Sequence, residues 1–174
     1  MSSRWASLAV AALGVLLLGT FGVAAGGRIN TTKSIPIGLY WTTSAPVAKG
    51  AYVLFCPPPG ALFDAARARG YIGAGYCPGG YGYLMKRVLA VKGDTVTVSD
   101  KGVRVNGEHV ARSVPLQADA AGRPLPRYPP VCQRLGQAEL LVMSDASATA
   151  FDSRYFGPIH RAQIQAVIKP ILTW

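Results

Sequence analysis

The longest unbroken apolar stretch of the chain runs from Leu8 to Ala25, LAVAALGVLLLGTFGVAA, with no charge and a single hydroxyl. As a helix its 18 residues would reach about 27 Å, close to the hydrocarbon thickness of a bilayer. Arg4 precedes it and Arg28 and Lys33 follow, so flanking charge alone sets no orientation. The segment reads as a retained membrane anchor, with a cleaved signal peptide as the alternative because Val23-Ala24-Ala25 also suits a cleavage site. A buried core helix is the weaker reading, since a helix apolar on every side would dominate so small a core.

Beyond residue 27 the pattern changes. Short runs of β-branched and aromatic residues recur at 51–56, 83–91, 94–99, 102–106, 140–144 and 164–168, separated by turn formers. Asn106-Gly107 is a two-residue hairpin turn between Val103-Arg104-Val105 and Glu108-His109-Val110, and Asp100-Lys101-Gly102 is a second turn candidate. One soluble helix is predicted over 61–69, stopped by Gly70 where a left-handed residue is wanted. Residues 115–130 are proline-rich and aperiodic, as in a long surface loop or insertion. The expected organisation is a signal or anchor helix over 1–27, then one mainly β domain over 28–174 with one or two short helices.

Charge and cysteine content narrow the picture. The formal net charge is +10, but the basic residues are scattered, and no Lys/Arg block interleaves with stacking aromatics as a nucleic-acid groove requires. Nucleic acid is therefore not an expected partner, whereas an anionic membrane surface suits a tethered basic domain. The three cysteines, Cys56, Cys77 and Cys132, fit an oxidising compartment, and their odd number leaves one thiol over. Cys56 and Cys77 bracket a loop rich in Gly and Pro, which makes one bridge there reasonable without fixing the pairing. No CxxC is present and only two His occur, so no metal site and no cofactor is expected.

Three short segments carry chemistry. In Asn30-Thr31-Thr32-Lys33-Ser34-Ile35-Pro36-Ile37-Gly38-Leu39-Tyr40 a serine precedes a Pro-Gly turn that would make its hydroxyl project, although such a serine alone is usually a loop residue. In Lys86-Arg87-Val88-Leu89-Ala90-Val91-Lys92-Gly93-Asp94 a lysine sits between Leu84-Met85 and Val88-Leu89, neighbours that would keep it dry, although a lysine at a strand start is usually solvated. Phe151-Asp152-Ser153-Arg154-Tyr155-Phe156-Gly157 sets acid, hydroxyl and base in one turn, which alone is most often a salt-bridged corner.

Taken together and in this order, the segments resemble the type I signal peptidases, and most closely their conjugative-transfer branch named TraF. The resemblance spans nearly the whole chain and rests on the pattern S-x-P-x-G-x-Y with K-R-V-x-x-x-x-G-D. It implies a signal-peptidase-like β-domain in which Ser34 is the nucleophile and Lys86 the general base. It further implies that Thr32 and the Ser34 N–H hold the oxyanion, and that Asp152 and Arg154, with Ser153, brace the site. Proline follows Ser34 at the second position, where ordinary signal peptidases have it at the third. Ala150 stands where a serine often steadies the lysine, and Ser144-Asp145-Ala146 replaces a Gly-Asp-Asn opening. These departures favour the TraF branch and leave Asp152 as the expected partner that orients Lys86.

A lysine base must lose its proton near pH 7 to 8, about three units below its ordinary pKa, roughly 4 kcal/mol of bias against the charged form. Burial by apolar strands is the available cause. His109 and His160 read as surface residues outside this scheme. By the resemblance, the substrate is the pilin precursor of a conjugative type IV secretion apparatus, whose own amino terminus can resolve the acyl-enzyme to give a cyclic product. Shallow apolar pockets at such a site would select small side chains beside the scissile bond, as in Ala-x-Ala. The further partners would be inner-membrane lipids and other conjugation proteins. The expected location is the inner membrane with the catalytic domain facing the periplasm, or the periplasm if the signal is cleaved. Two rivals differ in class: a catalytically silent periplasmic scaffold, and a soluble self-cleaving Ser–Lys regulator of the repressor type. The apolar N-terminal segment argues against the second, because such proteins carry a DNA-binding domain there.

Overall fold

The computed structural model describes residues 2–174; the side chains of Ser2, Ser3, Arg4, Ala6 and Val15 lie outside the described residues, and with them the charge of Arg4. Helix α1 covers Ser2–Ala24, and its stretch Ser7–Ala24 is long and apolar enough to cross a membrane, with none of it buried against the rest of the chain. It begins six residues before the predicted start and ends one before the predicted end. Its C-terminal carbonyls are met by a cation: Arg28 Nη1 donates to the Val23 carbonyl at 2.8 Å, where the helix dipole favours positive charge.

Among the described residues there are twelve strands, and all but the fourth form two antiparallel sheets. They are β1 (Gly27–Asn30), β2 (Gly38–Thr43), β3 (Tyr52–Phe55), β4 (Ala74–Cys77), β5 (Leu84–Ala90), β6 (Thr95–Ser99), β7 (Gly102–Val105), β8 (Glu108–His109), β9 (Val131–Arg134), β10 (Glu139–Met143), β11 (Ile159–His160) and β12 (Ile164–Thr173). The larger sheet runs β1-β2-β12-β3-β5-β10-β11 and the smaller β8-β7-β6-β9. Two short helices, α2 (Ala61–Ala68) and α3 (Ser153–Phe156), complete the fold. The mainly β architecture behind an apolar N-terminal helix is thus as expected from the sequence.

Local chemistry explains the punctuation. Helix α2 ends in a Schellman motif, with the Gly70 N–H on the Arg67 carbonyl and the Tyr71 N–H on the Ala66 carbonyl. The β7–β8 hairpin turns on Asn106-Gly107, both with positive φ, 52° and 85°, the primed geometry that such a turn needs. Gly38 is demanded by close approach: a Cβ there would run into the Leu172 carbonyl of β12.

Strand β5 places the lysine. Its burial alternates strictly, so Leu84, Lys86, Val88 and Ala90 share the inward face. One core cluster gathers Phe63 and Ala66 of α2 with Val53, Phe55, Val88, Tyr81, Phe151 and Tyr155. A second joins Ala90, Leu141 and Met143 of the large sheet to Val96, Val98, Val103 and Val105 of the small one. Cys56 and Cys77 form a disulfide that ties the end of β4 to β3, and Cys132 is free and exposed. With a sequence separation of 21 between the two cysteines, loop closure gives roughly 3 kcal/mol of stabilisation. Cys77→Ser is therefore expected to lower the unfolding free energy by about that amount. Denaturant midpoints under non-reducing conditions check it, and three free thiols on peptide mapping would discard the bridge.

The segment 115–130 has no regular strand, as expected, but it does not hang free on the surface. Its first part closes on itself through an Ala118–Pro124 bridge, and Leu125 packs against the large core cluster. Apolar Leu116 and Leu125 together with the hydroxyls of Tyr71 and Tyr155 hold it down, a tertiary arrangement that proline content alone does not reveal.

Candidate active site

The turn over 31–37 joins β1 to β2, whose pairing closes at Asn30 opposite Gly38. Buried Asn30 organises it. Asn30 Nδ2 donates to the carbonyls of Thr32, Ile35 and Pro36 at 2.7, 2.9 and 3.1 Å. Asn30 Oδ1 accepts from the Thr32 N–H and hydroxyl at 3.2 and 2.9 Å. Ile35 is fully buried, and the Tyr40 hydroxyl donates to the Pro36 carbonyl at 2.6 Å. The chain is thus held on both sides of half-buried Ser34, and its hydroxyl is left to project. Asn30 was not singled out in the sequence, although an Asn followed by two Thr is the signal of a side chain that folds back on its own backbone.

Ser34 Oγ lies 2.8 Å from Thr32 Oγ1. Because the Thr32 hydroxyl donates to Asn30 Oδ1, the proton between the two hydroxyls comes from Ser34 in this resting arrangement. Thr32 can turn its hydroxyl toward Ser34 without orphaning Asn30, whose Oδ1 keeps the Thr32 N–H. The Ser34 N–H makes no internal hydrogen bond among the described residues.

Ser34, Thr32 and Lys86 line one cleft of about 660 Å³. Lys86 is buried, and its ammonium has no hydrogen-bond partner among the described residues. Burial pushes its pKa down from 10.5 to about 8; the Asp152 carboxylate opposes that shift and the Arg154 guanidinium adds to it. Ser34 and Lys86 do not hydrogen-bond each other here, which is common for such groups before substrate closes the site. A neutral amine, a projecting hydroxyl and a free N–H in one apolar cleft can carry out acyl transfer by nucleophilic attack.

Asp152 is not where the sequence reading expected it. The resemblance sets it beside Lys86 in the catalytic set; among the described residues it makes no hydrogen bond or ion pair with Lys86 and does not line the cleft. Both its oxygens are occupied. Oδ1 accepts from Arg154 Nε at 2.8 Å and the Arg154 N–H at 3.1 Å. Oδ2 accepts from Arg154 Nη2 at 2.8 Å and the Ser144 N–H at 3.0 Å. Its carboxylate reaches Lys86 through its charge, which raises the lysine pKa against the effect of burial.

Arg154 is fully buried and gathers the preceding loop, donating to the carbonyls of Ala148 at 2.8 Å and Ala150 at 3.0 Å and to that of Arg112 at 2.8 Å. Ser153 Oγ accepts from the Val142 N–H at 3.1 Å, beside the register shift between Leu141 and Val142. The three residues therefore shape the wall made by Ser147, Thr149 and Ala150 rather than entering the cleft. Asp145 holds the neighbouring corner, accepting from the Tyr52 hydroxyl at 2.8 Å and pairing with Arg87 at 3.3 Å. Neither histidine belongs to the site: His109 and His160 are exposed, and His160 caps the turn at 161–163.

Comparison with known proteins identifies the family of the chain. The family described as signal peptidase, peptidase S26, matches residues 2–174. The chain is 64% identical over 169 residues to a plasmid transfer protein TraF of Escherichia coli, covering 97% of this chain and 95% of that one. It is 34% identical over 178 residues to a conjugal transfer protein TraF of Agrobacterium fabrum, covering 100% and 99%. Over 49% of its length, and 55% of the relative's, it is 30% identical to signal peptidase I V of Bacillus subtilis. Among solved structures, a signal peptidase I from Enterococcus faecalis aligns with a TM-score of 0.41 at 14% identity, over 72% of this chain and 98% of that one. The chain belongs to the signal peptidase family, peptidase S26, and within it to the TraF type.

Proposed function

We propose that the chain is a membrane-tethered serine endopeptidase in which Ser34 is the nucleophile and Lys86 the general base. The observation that carries this reading is a buried lysine with its pKa near 8 in the same cleft as a projecting serine. Neutral Lys86 takes the Ser34 hydroxyl proton as Oγ attacks the scissile carbonyl carbon. The Ser34 N–H and the Thr32 hydroxyl donate to the oxyanion. The tetrahedral intermediate collapses, the amine leaves with the proton from Lys86, and an acyl-enzyme on Ser34 remains. Water, or an amine of the substrate itself, then resolves the ester.

The substrate in this reading is a pilin precursor, and its own amino terminus would give a cyclic product. Relatives named as plasmid and conjugal transfer proteins support that choice. The chain would act at the inner membrane with its β-domain in the periplasm. Helix α1 supports the tether, and the disulfide supports an oxidising compartment. Exposed Ile29 and Trp41 lie on β1 and β2 beside the anchor, where the amphipathic ring of Trp41 suits a headgroup region.

A serine-directed acyl probe tests the dyad. It is expected to form one adduct, mapped to Ser34 by mass spectrometry, whose rate rises as pH passes through about 8, and to form none with Ser34→Ala. An unlabelled wild-type protein would leave the scaffold reading in place. Mass spectrometry of the pilin from cells with and without the chain then reports both cleavage and cyclisation.

A further inference from the structure

The cleft that holds Ser34 and Lys86 extends well beyond them, under the strap formed by residues 115–126. That strap is a closed hairpin, with the Leu125 N–H on the Gln117 carbonyl at 2.9 Å and the Asp119 N–H on the Arg123 carbonyl at 3.0 Å. It is fastened to the domain at separate points. The Leu116 N–H donates to the Tyr155 hydroxyl at 3.1 Å, the Tyr71 hydroxyl donates to Asp119 Oδ2 at 2.5 Å, and Arg69 Nη1 donates to the Pro124 carbonyl at 2.6 Å. The Arg123 guanidinium also sits 5.8 Å from the centre of the Tyr71 ring. It is a fixed wall.

The strap offers the cleft no free charge. Asp119 lines it, but its carboxylate already accepts from Tyr71, from the Arg123 guanidinium and from the N–H groups of Ala121 and Arg123. What remains on that side is apolar: Leu116 and Leu125 facing Tyr71, Phe151 and Tyr155. At about 660 Å³ the cleft lies in the range of roughly 300–1,000 Å³ that buries a drug-sized ligand. Two methyl groups of an Ala-x-Ala segment would leave most of that apolar wall against water, an unfavourable state for a substrate complex.

We infer that the cleft beneath the strap is a subsite for one bulky apolar side chain of the substrate, separate from the small residues flanking the scissile bond, and that Leu116 and Leu125 set its shape. This rests on the peptidase reading above. The subsite adds a second selection to the small-residue requirement, since a segment with small residues at the bond but none to fill the strap pocket would bind weakly.

The test measures binding, so it does not depend on turnover. Full-length Ser34→Ala protein in detergent micelles is titrated with fluorescent extended peptides. Each has an Ala-x-Ala core, and a single Leu or Phe is placed in turn at every other position of an otherwise small-residue sequence. One position is expected to tighten binding at least tenfold over the small-residue peptide, as filling a hydrophobic pocket does. Leu116→Trp, which fills the pocket from a side chain that is 38% exposed, is expected to bring that ratio close to one. Leu116→Ala, which enlarges the pocket, is expected to shift the preference from Leu toward Phe. A flat scan with a small-residue peptide that still binds would overturn the subsite and leave the peptidase reading standing, and so would a gain that survives Leu116→Trp. If no peptide binds at all, both fall together.

Discussion

Lys86→Met is expected to raise stability by about 3 kcal/mol at pH 7 while eliminating turnover. The lysine is fully buried, and its folded pKa is about 8 against an ordinary value of 10.5. Between those values the unfolded chain binds the proton that the folded chain has released. Stability of the wild type therefore rises with pH through the window from about 8 to 10.5, and below 8 the whole penalty is present. Methionine has a similar length and no charge to desolvate, so the gain should be largest at pH 6 to 7 and shrink toward zero by pH 10.5. Denaturant midpoints at several pH values measure it. Activity separates base from mere charge: Lys86→Arg stays protonated at any working pH, so it should be as inactive as Lys86→Ala and less stable than the wild type. Wild-type activity should fall as pH drops through about 8, because protonation removes the base. Substantial activity in Lys86→Arg would place the base elsewhere, and a midpoint unchanged by Lys86→Met would mean the lysine is solvated.

Lys86 was legible because strand alternation is a local rule: Leu84, Val88 and Ala90 fix its parity, and a lysine on that parity must be inward. The serine turn was legible from Pro36 and Gly38. The strands around that turn were not, because β1 is only four residues long and Gly38–Thr43 reads equally well as loop. Strand β12 runs to Thr173, past the expected 168, because Pro170 sits at a register shift where its missing N–H does no harm. Strand β9 has only four residues with two of them polar, too short for alternation to show. The contacts of Asp152 were not legible for a different reason. Which oxygen of a carboxylate is free depends on contacts from Arg154 and the Ser144 N–H, and sequence spacing does not count lone pairs. The strap was missed as a wall because its apolar residues act through Tyr71 and Tyr155, distant in sequence.

Asp152→Asn is expected to destabilise the fold by roughly 3–5 kcal/mol and to move the activity profile of the surviving folded protein toward acid. Arg154 has no exposure in its side chain, and among the described residues Asp152 is its one ion-pair partner, at 2.8 Å. Asparagine keeps the shape but leaves a guanidinium buried without a counter-charge, the arrangement in which breaking a buried pair is most damaging. The carboxylate also raises the Lys86 pKa, while Arg154 lowers it. Removing the anion and leaving the cation must therefore lower that pKa further, so the base is freed at lower pH. A residue that merely braced a corner would change stability without moving the profile. Asp152→Asn combined with Arg154→Met removes the orphaned cation as well, and should recover part of the lost stability without restoring the cleft wall, whose Ala148 and Ala150 carbonyls lose their donor. Thermal denaturation of all three variants, with the pH dependence of acyl-probe labelling at Ser34, reads both effects. A profile that stays in place or moves toward alkali would remove Asp152 from the electrostatics of Lys86, and a double variant no more stable than Asp152→Asn would show that the buried cation is not what destabilises the single change.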